Sequence, residues 1–496
     1  MEERKKEDNS YTHILKYTGI FGGVQGLNIL VGVVRNKFTA LFLGPAGMGL
    51  LSLFNSTSTF LTSACNLGIP TSGVKVVADT LGRQQNKLDK SVEETVCLVR
   101  SFSLLAATLG ALVCVLLGPL LNLFAFSWGN HTLHFILLAP TVFFTILAGG
   151  EMSILKALGK LKALAMQAFL LTLLSLLFSV PIYWIFGASG ILPVLFFIAF
   201  SQWVLNLGYS WREVRFRLNF SKIELAKGKP LVRLGMSFVL AGMVNSGAEF
   251  LVRAFLNTQG DLEMVGLFNA GSTIVIVYAG MVFSVMESDY YPRLSAIVGN
   301  RLETQSVDSR NLTVNRQLEM NVLLIGPIVA LMILALPIGI PLLYDSKFLG
   351  MLAMTQVASL GMLFKAVYLP IEYLPLSRGE SKVFLAQECL CVLLLVICEI
   401  VGYLLGGLLG LGFGIVVAYA VEALAVLAFS RLYYRYRITR KGGGSLLVHL
   451  SFALLVLALT RLDYHGLLYW LLGILVVLAS LAYSLLLIRR SIRSTK

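Results

Sequence analysis

Long apolar runs, almost free of charge, follow one another along the chain and are separated by short polar, basic or glycine-containing breaks. They fall near 12–42, 46–70, 94–118, 133–157, 164–186, 189–210, 235–257, 265–287, 318–343, 350–376, 382–404, 409–432, 446–461 and 467–488. A helix needs about 20 residues to cross the hydrocarbon core, so the pattern predicts about fourteen spans. The runs are far too long for barrel strands, and a helix satisfies its own backbone polar groups. The expected fold class is an all-α polytopic membrane protein. The charged segment Met1–Ser10 precedes a run too long for a signal-peptide core, which is therefore expected to be the first retained span.

The polar breaks orient the spans. With the N-terminus inside, the inside loops hold Lys75, Arg83, Lys87 and Lys90, then Lys160 and Lys162, then Arg212, Arg215, Arg217, Lys222, Lys227, Lys229 and Arg233. Further on they hold Arg293, Arg301, Arg310 and Arg316, then Arg378 and Lys382, then Arg431, Arg435, Arg437, Arg440 and Lys441, then the tail Arg489, Arg490, Arg493 and Lys496. The outside loops hold little beyond Lys347 and Arg461. The positive-inside rule is met loop by loop, which places both termini in the cytoplasm. Trp128, Trp184, Trp211 and Trp470 fall near expected interfaces. The longest inside loops, 211–234 and 288–317, are too short to bury a core, so function is expected within the membrane. The first of them is basic and partly amphipathic (Trp211, Val214, Phe216, Leu218, Phe220), suited to an anionic leaflet.

One string recurs. Leu53-Phe54-Asn55-Ser56-Thr57-Ser58-Thr59 returns as Leu267-Phe268-Asn269-Ala270-Gly271-Ser272-Thr273, each copy near the start of an apolar run. An even number of spans separates the copies, so both run the same way and the halves are parallel repeats. The expected organisation is an N-terminal lobe of six helices (1–210), a basic connector (211–234), a C-terminal lobe of six helices (235–435), and two additional helices with a basic tail (436–496). Paired bundles of this kind can rock about a central cavity.

Composition fits this picture: 57% of residues are hydrophobic and 13% charged, against about a quarter charged in soluble domains. The net charge of +14 sits at the ends of apolar runs, as topology requires, so a nucleic-acid partner is not expected. The six cysteines form no CxxC pair and read as small apolar side chains without a metal. His134 and His449 have no acidic neighbour in register and read as packing residues.

Charges inside spans are costly and mark function. Arg35 and Lys37 lie in the first run, Glu151 and Lys156 in the fourth, Glu249 and Arg253 in the seventh, and Lys365 and Glu372 in the tenth. Glu388 and Glu399 follow in the eleventh run and Glu422 in the twelfth. Spans one and seven are equivalent in the two halves, as are four and ten, and all four carry a base. That distribution suggests a cationic cavity suited to an anionic cargo such as a pyrophosphate. Simpler roles stay open: Glu249 and Arg253 can pair at i,i+4, Lys37 can snorkel outward, and Lys156 can serve topology. Ion coupling, if used, would fall to Glu151, Glu249 or Glu372, with the membrane potential, protons or sodium as the source. No catalytic spacing or phosphate-binding glycine loop accompanies these groups, so an enzyme is not expected.

Several strings resemble a family. Leu43-Gly44-Pro45-Ala46-Gly47-Met48-Gly49 and Gly68-Ile69-Pro70-Thr71-Ser72-Gly73-Val74-Lys75-Val76-Val77-Ala78 resemble the start of polysaccharide-unit flippases, with Lys37 placed as in that pattern. Val265-Gly266-Leu267-Phe268, Tyr291-Pro292-Arg293-Leu294-Ser295, and Ser346-Lys347-Phe348 followed by Lys365 resemble later family signatures. Over roughly residues 12–435 the chain is similar to flippases of O-antigen and enterobacterial common antigen intermediates, in the multidrug/oligosaccharidyl-lipid/polysaccharide exporter superfamily. The resemblance implies a V-shaped, two-lobed fold in the bacterial inner membrane. It implies transfer of an undecaprenyl-pyrophosphate-linked oligosaccharide by a monomer without cofactors, serving polysaccharide polymerase or ligase machinery. Lys37, Lys156, Arg253 and Lys365 match basic positions of the pattern and would hold the pyrophosphate. Glu151, which could pair with Lys156, and the last two helices depart from it. A drug or cation exporter of the same superfamily is the alternative, with a membrane polymerase behind it.

Overall fold

The computed structural model describes residues 2–83, 88–126, 131–221, 228–283, 290–291, 293–295, 297 and 303–495. Lys87, Trp128, Lys222, Lys227, Pro292, Arg301 and Lys496 lie outside the described residues. Among those described every regular element is helical. In chain order they are α1 (Glu2–Cys65), α2 (Ile69–Arg83), α3 (Lys90–Ala125), α4 (Thr132–Ile136), α5 (Ala139–Ala157), α6 (Leu161–Phe186), α7 (Ile191–Glu213) and α8 (Lys229–Gln259). Then come α9 (Leu262–Ser272), α10 (Glu303–Leu343), α11 (Leu352–Ser359), α12 (Gly361–Ser377), α13 (Ser381–Tyr433), α14 (Arg440–Leu459) and α15 (Leu467–Thr495). A π-helical stretch, Thr273–Ala279, continues α9.

Ten described helices are long and apolar enough to cross a bilayer, or up to eleven if the bent pair Ser346–Ser359 and Gly361–Ser377 is one span. This is fewer than the fourteen apolar runs because three stretches each hold two runs: Leu27–Cys65, Lys162–Glu213 and Ser381–Tyr433. Glycine in the left-handed region breaks each of them: Gly44 at φ 63°, Gly187 at 53° and Gly407 at 58°. L-residues with a Cβ avoid that region, so glycine is what lets the chain turn there. In α13 the two arms then close tightly. A Cβ on Gly402 would stand 2.4 Å from the Gly410 carbonyl oxygen, so only glycine permits the approach.

The chain divides into two compact units, Met1–Val265 and Gly266–Lys496. In the first, α5 packs on α3 and α7, while α1 packs on α6 and α8. Helix α8 is seated by close backbone approach: a Cβ on Gly235 would lie 2.0 Å from the Leu67 carbonyl oxygen. Phe60 and Phe250 stack at 6.0 Å along the same contact. In the second unit α12 packs on α13 and α10. The last two helices belong to this core. Their buried His449 hydrogen-bonds Ser480 at 3.0 Å and Ser484 at 3.1 Å, and Tyr469 donates to the Leu334 carbonyl at 2.8 Å.

The repeat extends to individual bonds. In the first copy Leu53 and Phe54 are buried, Asn55 is exposed, and Thr59 donates to the Asn55 carbonyl at 2.9 Å. In the second Leu267 and Phe268 are buried, Asn269 is half-buried, and Thr273 donates to the Asn269 carbonyl at 2.8 Å. Later in each unit a further correspondence runs at one constant offset. Gly159 and Gly379, then Gly187 and Gly407, are left-handed pairs. Ser210-Trp211-Arg212-Glu213-Val214-Arg215-Phe216-Arg217-Leu218 matches Ser430-Arg431-Leu432-Tyr433-Tyr434-Arg435-Tyr436-Arg437-Ile438 as Ser, a buried apolar or aromatic residue, then Arg-aromatic-Arg-aliphatic.

Structure corrects one loop. The segment expected as a loop over 288–317 is helical from Glu303, and α10 at 41 residues is about 62 Å long. Arg310 is consequently not a solvated loop charge but is buried, donating to the Tyr434 carbonyl.

Candidate substrate and coupling sites

In the first unit the bases occupy three settings. Arg35, half-buried on α1, donates to Ser175 Oγ of α6 at 3.1 Å, and Lys37, two residues further, is half-buried as well. Arg253 on α8 is held on two sides. Its Nε donates to Ser52 Oγ of α1 at 2.7 Å, and its Nη1 reaches the Glu249 carbonyl at 3.0 Å and carboxylate at 3.2 Å. The expected i,i+4 pair thus exists, but asymmetrically: the Arg253 side chain is 15% exposed and that of Glu249 55%. A carboxylate so open to solvent offsets little of the guanidinium's charge. Lys156 lies exposed in the last turn of α5, just before the Gly159 turn. The structure therefore brings Arg35, Lys37, Lys156 and Arg253 into one unit, and leaves Lys365 to the other.

Glu151 does not pair with Lys156. Its carboxylate is buried and accepts from Arg100 Nε at 2.9 Å and from Nη2 at 3.1 Å, with Ser210 Oγ as a third donor. Position explains this: Lys156 has rotated onto the exposed face, whereas Arg100 projects from α3 straight into the α5–α7 seam. Arg100 also donates to the carbonyls of Val214 at 3.2 Å and Arg215 at 2.9 Å, and lies 5.2 Å from the Phe216 ring centre. It fastens the extended chain after α7 to the helix bundle. The second unit repeats the device. Arg310 donates to the Tyr434 carbonyl, Asn311 to Arg435 and Asn315 to Arg437, all directly after α13. Tyr434, whose hydroxyl donates to Glu380, is pushed up by burial first and by that carboxylate second, so it remains a donor at neutral pH. Arg100 escaped the sequence reading because it sits in the first turns of an apolar run, close to the loop bases that serve topology. The repeated Ser…Arg-aromatic-Arg string was the signal that could have exposed it.

In the second unit Lys365 is half-buried on α12, its ammonium 5.7 Å from the Tyr419 ring centre on α13. Tyr368 and Tyr419 lie 6.1 Å apart, ring to ring. Beside them, Glu372, Cys391 and Glu422 bring their ligand atoms within 4.8 Å of one another, and both carboxylates are buried. Two carboxylates and a thiol at that separation offer the donor atoms that a proton or a small cation could occupy. Glu399, also buried, lies on the same helix as Glu422. Of this cluster the sequence named Glu372 for ion coupling, alongside Glu151 and Glu249 elsewhere; Glu422 joins Glu372 through the packing of α12 on α13.

Residues 14–298 match the polysaccharide biosynthesis protein family. Among curated protein sequences none matches the chain. Among solved structures, a lipid II flippase MurJ in an inward closed conformation is similar with a TM-score of 0.69 at 14% identity, covering 95% of this chain and 99% of that one. An inward-facing multidrug resistance MATE family transporter of the MOP superfamily is similar with a TM-score of 0.69 at 16% identity, over 82% of this chain and 94% of that one. The Vibrio cholerae MATE transporter VcmN in its bent form follows with a TM-score of 0.56 at 13% identity, over 89% and 99% of the two chains. At these identities the likeness is one of fold, the fold of MOP superfamily transporters.

Proposed function

The chain belongs to the polysaccharide biosynthesis protein family, and from that premise we propose that it is a flippase carrying an undecaprenyl-pyrophosphate-linked oligosaccharide from the inner to the outer leaflet of the bacterial inner membrane. Movement is by alternating access, with both termini cytoplasmic. The observation that carries the proposal is Arg253. A guanidinium held inside a span, fixed by Ser52 and the Glu249 carbonyl, is costly to place there and marks a functional position, and an anion is the ligand its paired donors would take. Lys365 supplies a base in the other unit, its ammonium 5.7 Å from the Tyr419 ring centre. Each kind of base suits a pyrophosphate, the guanidinium by paired hydrogen bonds and the ammonium as a point charge. Lys37 and Arg35 fall in the same family-matched region, and the exposed Lys156 is a further proposed contact for the headgroup.

Moving the anionic headgroup outward is favoured by an inside-negative potential, by about 2.3 kcal/mol per charge per 100 mV. The Glu372–Glu422 pair is the proposed carrier of a coupling proton or sodium, and the exposed Glu249 a subsidiary one. Glu151 is withdrawn from that role, because its charge is committed to Arg100. The fold of the similar solved structures, all transporters by name, supports carriage rather than catalysis.

A cation or drug exporter is the second proposal, and the buried acids around Lys365 are the observation favouring it. Native mass spectrometry separates the two. Binding of a lipid-linked oligosaccharide that falls at least about tenfold in Arg253→Gln supports the flippase. Tight binding of a lipophilic cation, with no lipid-linked oligosaccharide bound, supports the exporter instead.

A further inference from the structure

At one end of the second unit, α10, α14 and α15 enclose a cavity of about 500 Å³. Glu319 of α10, Arg440, Lys441, Gly444 and Ser445 of α14, and Arg490 of α15 contribute to its lining. Three bases face one carboxylate, so the lining is net positive. Among the described residues none of the three bases forms an ion pair, and all three are exposed. Ser445, only 2% exposed, adds a buried polar side chain to the same wall. Open space stands where a Gly444 Cβ would be, which keeps that wall low.

The position of the cavity identifies its ligand. Arg440 begins one spanning helix and Arg490 ends the next, so the bases stand at the level where the spans leave the hydrocarbon. Below them the same two helices turn Leu447, Leu454, Leu478 and Leu486 outward. A free phosphate would use the charged rim alone; a molecule with a phosphate above and acyl chains below uses both surfaces. Loop charges place this end of the spans at the cytoplasmic leaflet, where anionic lipids attract bases near the surface.

We propose that this cavity binds the headgroup of an anionic phospholipid. Arg440, Lys441 and Arg490 take the phosphate, and Glu319 accepts from a headgroup hydroxyl. The two C-terminal helices, which the twelve-helix repeat does not require, thereby tie the second unit to its leaflet. The proposal is independent of the cargo and stands or falls separately from the flippase reading.

The test reconstitutes the full chain in nanodiscs of phosphatidylcholine with a minority of phosphatidylglycerol and counts retained lipids by native mass spectrometry. Wild type is expected to retain one phosphatidylglycerol, and Arg440→Gln/Lys441→Gln/Arg490→Gln to retain it about tenfold less. Gly444→Leu, which fills the cavity without touching a charge, should show the same loss and covers the case of a triple variant that does not fold. Arg489→Gln, outside the lining, should behave as wild type. Equal retention by wild type and both cavity variants overturns the proposal. So does displacement of the bound species by inorganic phosphate, or equal retention of phosphatidylethanolamine.

Discussion

Replacing Arg100 by methionine isolates the device that fastens the post-α7 chain. The change keeps a long apolar stem but removes a guanidinium whose side chain is 2% exposed, leaving a Glu151 side chain that is 5% exposed with Ser210 still donating to it. Breaking one partner of a buried pair costs about 3–5 kcal/mol, because the other charge is stranded. The carbonyls of Val214 and Arg215 also lose a donor, which places the single variant toward the upper end of that range. Removing both charges in Arg100→Met/Glu151→Met relieves the stranded carboxylate, so the double variant should cost only about 1–3 kcal/mol. The cycle therefore predicts a coupling of at least about 2 kcal/mol between the two positions. Equilibrium unfolding by SDS titration in mixed micelles, comparing midpoints at matched slopes, measures it. A single variant within about 1 kcal/mol of wild type, or a double variant worse than either single, refutes the stranded-charge reasoning.

Other outcomes follow from the same contacts. Asn315 bonds the Arg437 carbonyl, the Thr439 amide and the Tyr436 hydroxyl, so Asn315→Ala should destabilise the second unit by about 2–4 kcal/mol, read in the same titration. Gly235→Ala drives a Cβ against the Leu67 carbonyl and should cost about 1–3 kcal/mol, with faster proteolysis between α7 and α8; unchanged cleavage would count against this packing of α8. Lys365→Ala should lower transport at least about tenfold while the unfolding midpoint holds, and Lys365→Arg should recover part of it. Glu422→Gln should abolish any dependence of transport on a pH or sodium gradient, whereas Glu151→Gln should lower stability without changing that dependence.

The span pattern was legible because apolar runs of bilayer length have few alternatives. The breaks at Gly44, Gly187 and Gly407 were less visible as structure, since a helix that turns through glycine can remain one helix by its hydrogen bonds. Both copies of the Leu-Phe-Asn string bury the Leu-Phe pair and carry a Thr that donates to the Asn carbonyl one turn back, the bond a helical Thr commonly makes. Arg100 and Arg310 were hidden for one reason. Sequence supplies the charge but not the direction of the side chain, and both point inward to main-chain carbonyls that carry no residue signature. The same limit applies to Glu151, whose partner lies 51 positions away rather than one turn along its helix. Glu422 became a neighbour of Glu372 only when α12 met α13.

The most direct test is flipping itself. Liposomes carrying the purified chain and a fluorescent undecaprenyl-pyrophosphate oligosaccharide are treated with an outside quencher, and protected probe is followed over time. With an inside-negative potential, protected probe is expected to fall at a rate proportional to protein, and that rate to collapse in Arg253→Gln/Lys365→Gln. A rate independent of protein, or one unaffected by loss of both bases, contradicts the account.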